Sequence, residues 1–194
     1  MTLIHCAARR GFVTHSGRLT LSAATLGLLA GVATNSARAQ SSSTMAADVN
    51  ILNVALGLEH EAINAYQLGA GSGLLSKGVL DVAVAFQSHH KSHRDALVAT
   101  IEKLGGRPVM EKKADEYAMA LDAKMLKSQA DVLMLAAKLE LGAANAYLGV
   151  IPSFKDARLG QVAARLAADE TMHYTALQGA LGQSLPMAAL SFGA

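Results

Sequence analysis

Apolar residues recur every three or four positions along most of this chain, which is the spacing that places side chains on one face of an α-helix. No segment shows the alternation of β-branched residues that is typical of a strand, and prolines occur only at positions 108, 152 and 186. Glycines or prolines follow the periodic segments and are expected to end them. The pattern predicts four long helices, at about residues 47–68, 78–104, 127–150 and 156–181.

The first two predicted helices recur as the last two. At an offset of 81 positions, the matched residues are Leu58, Glu59, Ala62, Asn64, Ala65 and Tyr66 with Leu139, Glu140, Ala143, Asn145, Ala146 and Tyr147. At an offset of 80 positions, they are Val82, Ala83, His93, Ala96 and Leu97 with Val162, Ala163, His173, Ala176 and Leu177. The matched Glu, Asn, Tyr and His are the informative ones, because Ala and Leu are common in this chain. The sequence therefore predicts two copies of one helical hairpin.

About 20 residues, 107–126, separate the two hairpins, and this connection is much longer than the glycine turn at 69–73. A connection of that length lets the chain travel along the bundle, so that the second and third helices run parallel. We therefore predict an all-α four-helix bundle with a long crossover. Residues 111–127 are either partly helical or irregular.

Ionisable residues interrupt the apolar face of each predicted helix. They are Glu59, His90, His93, Glu140, Glu170 and His173. Burying such a group without a partner costs several kcal/mol, against about 5 to 15 kcal/mol for the stability of a whole domain. Carboxylate and imidazole are ligands that suit iron, manganese and zinc. The six residues therefore predict a buried metal site, with iron, manganese and zinc as the candidate ions.

Plainer interpretations of the same residues exist. A histidine alone on an apolar face is more often a satisfied core residue, but the shared register of the six favours ligands. Tyr66 and Tyr147 lie two turns from the glutamates; they are expected as core aromatics, with a hydrogen bond to a metal ligand as the alternative. His60, Glu61 and His89 lie off the ligand face and are expected to be solvated or to pack between helices.

The motif Leu-Glu-x-x-Ala-x-x-x-Tyr occurs at 58–66 and 139–147, with His-x-x-His at 90–93 and Glu-x-x-His at 170–173. In this order the motifs resemble the ferritin-like superfamily, and in particular small exported proteins related to rubrerythrin and bacterioferritin. The resemblance covers about residues 47–183. It implies a ferritin-like four-helix bundle with a carboxylate centre for two metal ions, most simply iron, with manganese or zinc as alternatives.

The resemblance also assigns roles. Glu59 and Glu140 match the terminal or bridging carboxylates of the first and third helices, and Glu170 and His173 match the pair on the fourth. His93 matches the histidine of the second helix.

His90 departs from the family pattern, which has glutamate at this position. Three carboxylates and three imidazoles carry one negative charge fewer than four carboxylates and two imidazoles. This difference predicts an altered metal preference: a less oxidised pair, a mixed site, or one tightly held ion with a weak second.

Residues 1–39 read as an export signal. Arg9 and Arg10 precede an apolar stretch at 19–32, and Ala37-Arg38-Ala39 is typical of a cleavage site. The paired arginines favour a twin-arginine signal over an ordinary secretory one. The apolar stretch is shorter than the roughly 20 residues that cross a bilayer. Residues 40–194 are thus expected as an exported, periplasmic domain without a stable membrane span.

Removal of this signal changes the charge and the cysteine content. Four of the 17 basic residues and none of the 15 acidic ones leave, so the formal net charge falls from +2 to −2. The remaining domain has no basic cluster to hold a phosphate backbone, which argues against nucleic acid as a partner. The single cysteine, Cys6, also leaves, so disulfides and thiolate ligands are excluded and nitrogen and oxygen must hold any metal.

The resemblance implies metal ions and dioxygen or peroxide as partners, with iron oxidation, iron binding or oxidant removal as the activity. Two alternatives stay open: a metal-buffering protein without turnover, and a structural or stress-related bundle whose site is degenerate. We see no fifth helix of the kind that storage cages use, so a monomer or homodimer is expected.

Overall fold

The computed structural model describes residues 23–184 and 186–188, with side chains from residue 43 onward. The chain divides into Met1–Gln40 and a compact unit, Ser41–Ala194. Arg9, Arg10 and Cys6 lie outside the described residues, so the export signal stays a prediction.

Five α-helices make up the described chain: α1 Ala23–Gly71, α2 Lys77–Lys103, α3 Ala114–Ala120, α4 Gln129–Val150 and α5 Ala157–Ala180. Short 3-10 turns occupy Ala123–Met125 and Ile151–Ser153. No strand occurs among the residues that the structure describes. The predicted all-α fold class is confirmed.

The helix ends follow local chemistry. Ser128 and Asp156 cap α4 and α5 by accepting hydrogen bonds from the backbone N–H groups of Asp131 and Arg158. The start of α1 differs from the prediction: the helix begins at Ala23 rather than near residue 47. The segment 32–56 contains neither glycine nor proline, so nothing in it interrupts a helix.

Among the long helices, α1 is antiparallel to both α2 and α4. The hydroxyl of Tyr66 on α1 meets Glu140 on α4, and Glu59 on α1 meets Tyr147 on α4, so these two helices are antiparallel. α2 also runs antiparallel to α1, because the short turn 72–76 joins them. α2 and α4 are therefore parallel, as the long crossover predicted.

The crossover returns along α1. Asn53 accepts a hydrogen bond from the N–H of Val109 at 2.7 Å, and Asn64, three turns further on, donates to Glu111 at 2.6 Å. Tyr117, on α3, is buried in a small cluster against the end of α1. The crossover is thus partly helical, and it covers the outer side of α1.

Two apolar clusters flank a polar layer in the bundle. The cluster on one side includes Leu56, Ile101 and Tyr147, and the other includes Leu133 and Leu177. Buried Asp48 fixes the start of α5, because its carboxylate accepts hydrogen bonds from the backbone N–H groups of residues 155 and 156 at 2.8 and 3.1 Å. This contact ties the start of α5 to α1.

Among the described residues, one segment, Gln129–Ser153, is long and apolar enough by length and composition to cross a membrane. Core helices of soluble bundles can have the same length and composition. Glu140 lies in the middle of this segment and is 2% exposed, in contact with the other long helices. We interpret α4 as a core helix of the bundle.

Candidate metal centre

All six predicted ligands meet in the polar layer. Their side chains come from the four long helices, and none is more than 8% exposed. They are Glu59 on α1, His90 and His93 on α2, Glu140 on α4, and Glu170 and His173 on α5. The three-residue spacing on α2 and α5 places both members of each pair on the inner face. The six form two overlapping groups of four.

The first group consists of Glu59, His90, His93 and Glu170, whose ligand atoms all lie within 4.8 Å of one another. His90 Nδ1 lies 2.8 Å from Glu59 Oε2, and His93 Nδ1 lies 3.3 Å from Glu170 Oε1. Two oxygens and two nitrogens thus surround one point, which is a donor set that could hold a metal ion.

The second group consists of His90, Glu140, Glu170 and His173, within the same limit of 4.8 Å. His90 Nε2 lies 3.2 Å from Glu140 Oε1. His173 Nδ1 lies 3.4 Å from Glu140 Oε2 and 3.1 Å from Glu170 Oε2. This group has the same composition as the first.

Two residues belong to both groups. The contacts place Glu170 Oε1 in the first group and Oε2 in the second, and His90 contributes Nδ1 to the first and Nε2 to the second. These two residues are also 80 positions apart, which is the repeat offset of their hairpins. The two residues that the groups share are therefore equivalent positions of the repeat, one an imidazole and the other a carboxylate.

Two buried atoms of the first group have no hydrogen-bond partner: His93 Nδ1 and Glu170 Oε1. They face each other across 3.3 Å. A buried polar atom without a partner costs about 1–3 kcal/mol, and a cation between these two atoms would satisfy both. The residues present therefore fit a metal ion.

The electrostatics of the layer show the same demand for positive charge. Burial by itself lowers the pKa of His90, but hydrogen bonds with Glu140 and Glu59 outweigh it and raise this pKa to about 10. Burial also acts to lower the pKa of His93, and the facing carboxylates of Glu170 and Glu59 raise it to about 10. Burial acts to raise the pKa of Glu59, but His90 and His93 lower it. Without a metal, protons on imidazoles balance the carboxylates.

The two repeated tyrosines each hold a carboxylate. The hydroxyl of Tyr66 donates to Glu140, and that of Tyr147 donates to Glu59. Burial and the adjacent carboxylates raise the pKa of both phenols, so they remain protonated donors. Both rings are core residues, as expected, and the alternative of a hydrogen bond to a predicted ligand is also what the structure shows.

Two residues that contact the ligand histidines from outside were not predicted from the sequence. His93 Nε2 lies 3.2 Å from Asp169 Oδ2, and His173 Nε2 lies 2.9 Å from His89 Nδ1. His89 is exposed, as expected, yet it contacts the centre. A signal existed, because His89 and Asp169 are also 80 positions apart, each directly before a residue that both groups share.

His60 stays out of the centre, as predicted. It is buried at 6% exposure, and its Nε2 lies 3.3 Å from the carbonyl oxygen of Val109 in the crossover. This histidine therefore packs α1 against the crossover.

A family model for the ferritin-like domain matches residues 47–183. The chain belongs to this family. A solved structure of a conserved hypothetical protein, rv2844, from Mycobacterium tuberculosis is similar to this ferritin-like chain, with a TM-score of 0.59 and 22% sequence identity. The match covers 75% of this chain and 97% of that one, and it shows a shared fold. No curated protein matches the sequence.

We predict that Asp169→Asn weakens the binding of one metal ion by about tenfold, because partners of a ligating histidine typically contribute 10–100-fold and Asp169 is 43% exposed. The aspartate accepts the Nε2 proton of His93 and so leaves Nδ1 free for the ion. A calorimetric titration with Mn²⁺ measures the affinity. Asp81→Asn on the exposed side of α2 is the control, and equal affinities in both variants would contradict the role of Asp169.

Proposed function

We propose that this ferritin-like protein binds two metal ions, preferably iron, in the bundle core. We further propose that it acts outside the cytoplasm, in iron oxidation or binding or in oxidant removal. The observation that carries the proposal is the pair of four-ligand groups that share Glu170 and His90. Manganese and zinc suit the same nitrogen and oxygen donors. Iron in such a centre supplies one-electron chemistry toward dioxygen or peroxide.

His90 makes the two groups unequal. A neutral imidazole has one nitrogen that accepts and one that carries a proton, so it offers a lone pair to only one of two ions. A glutamate in its place would offer an oxygen to each. The three carboxylates also leave one positive charge uncompensated against two divalent ions. We therefore propose one tightly held ion and a weaker second.

The surrounding residues hold the ligands and control access. Tyr66 and Tyr147 orient Glu140 and Glu59, and the apolar clusters on both sides keep bulk water away from them. An open groove leads to the outer edges of the ligand histidines. It is lined by Phe86, His89, Ser92, His93, Asp169, Met172 and His173. Ions are proposed to enter by this groove, past the ionisable side chains of His89 and Asp169.

We predict that His90→Glu raises the affinity for the second metal ion at least tenfold and brings the bound metal to two equivalents. The added carboxylate supplies one more negative charge and a second lone pair. Anaerobic titration with Fe²⁺ and elemental analysis give the stoichiometry. Ser88→Glu, on the exposed side of the same helix, adds the same charge and should leave the dissociation constants of both metal ions unchanged.

Measurements on the unmodified protein distinguish the unequal two-metal centre from its alternatives. Two equally tight irons in the unmodified chain would contradict the unequal centre. A purified protein without metal, in which Glu59→Ala raises the melting temperature, would leave only a structural role for the bundle.

Addition of ferrous iron to the metal-free protein is expected to consume dioxygen or peroxide, measured with an electrode and by iron absorbance. Glu170→Ala should abolish the consumption, because both groups lose an oxygen. Glu102→Ala, an exposed glutamate on α2, should leave it intact. Metal binding without consumption of either oxidant would exclude the enzymatic role and favour metal buffering.

The export proposal rests on residues 1–39. Replacing both Arg9 and Arg10 with lysine should leave the precursor in the cytoplasm, because the twin-arginine route recognises the paired arginines. Cell fractionation and the mass of the mature chain provide the measurement. Unchanged export of the double variant would instead indicate an ordinary secretory signal.

A further inference from the structure

A second feature of the bundle interior lies beside the centre. It is an apolar cavity of about 120 Å³ between α1, α2, α4 and α5. Tyr66, Leu133 and Leu177 form its inner wall, and none of them is more than 6% exposed. None of the six proposed metal ligands lines the cavity. Its properties can therefore be considered separately from the metal.

Small side chains create the space. Ala83, Ala136 and Ala176 line the cavity on three different helices, where larger residues would fill it. Among the described residues, no charged one lines the cavity, and the one polar side-chain atom in its wall, the hydroxyl of Tyr66, donates to Glu140. A buried water needs two to four polar partners, which this cavity does not offer. The space thus favours an apolar occupant over water.

The cavity is accessible from outside. Gly78 on α2 and Ala176 and Ala180 on α5 are lining residues that are also exposed, so the gap between these helices forms an entrance. Its size is comparable with that of an engineered apolar cavity of about 150 Å³ that stays dry and binds benzene.

We propose that this cavity is a binding site for a compact, uncharged apolar organic molecule of about the size of benzene or toluene. Such a molecule contacts the ring of Tyr66. Tyr66 lies between the cavity and the metal centre, because its ring lines the cavity and its hydroxyl donates to Glu140. The site goes beyond the metal-binding proposal and does not depend on it.

Toluene binding to the metal-free protein tests the proposal. Toluene should raise the melting temperature of the natural chain in a concentration-dependent manner, since a ligand that binds only the folded state stabilises it. Ala136→Leu and Ala176→Leu, which fill the cavity from α4 and from its rim, should each weaken binding at least tenfold. Ala164→Leu is the matched control, because it makes the same change on the exposed side of α5. Benzoate, the charged analogue, should not bind.

Several results would overturn the site. They are the absence of any toluene effect on the natural chain, undiminished binding in both filled variants, or equal binding of benzoate. Binding that appears only after removal of residues 189–194 would show that the chain's own tail occupies the cavity, and would also overturn the proposal. Because the protein is metal-free throughout, a negative result leaves the metal centre standing, and a protein that binds no metal can still bind toluene.

Discussion

The burial of three carboxylates and three imidazoles at one level of the bundle is the constraint on which the rest of the structure depends. Glu170 is fully buried, and each of the other five ligands is nearly so. The effective cost of burying an ion is several kcal/mol, while the whole domain is stable by about 5 to 15 kcal/mol. The layer can persist only if each negative charge meets a positive one. Protons on the histidines meet that need without metal, and cations meet it with metal.

The internal duplication explains how the layer is balanced. Each bond from an outer residue to a predicted ligand crosses from one hairpin to the other: Tyr66 holds Glu140, Tyr147 holds Glu59, and Asp169 meets His93. Neither hairpin therefore contains a complete group of four. The first group takes Glu170 from the second hairpin, and the second takes His90 from the first. Association of the hairpins and assembly of the centre are consequently the same event.

Sequence periodicity was sufficient to predict the ligands, but not to predict the residues that contact those ligands from outside. Glu59, His93 and His173 could be predicted because helical spacing fixes which residues share an inner face. Asp169 and His89 lie about 100° further round their helices, and whether such residues reach a neighbour depends on interhelical distance and tilt, which no local pattern specifies. The early start of α1 was missed for a different reason. Residues 1–39 have the features of an export signal, and the polar stretch that follows them carries no helical periodicity, so neither segment predicts the start of the helix at Ala23.

The cavity could not be predicted from the sequence, because it results from small residues on four helices and alanine is abundant throughout this chain. The cavity and the groove both open between α2 and α5, but they differ in the residues that line them. Ionisable His89, His93 and Asp169 line the groove, while no charged residue among those described lines the cavity. An ion is strongly disfavoured in an apolar cavity, so ions are expected to use the groove. Tyr66 connects the cavity with the centre, because its ring lines the cavity and its hydroxyl donates to Glu140.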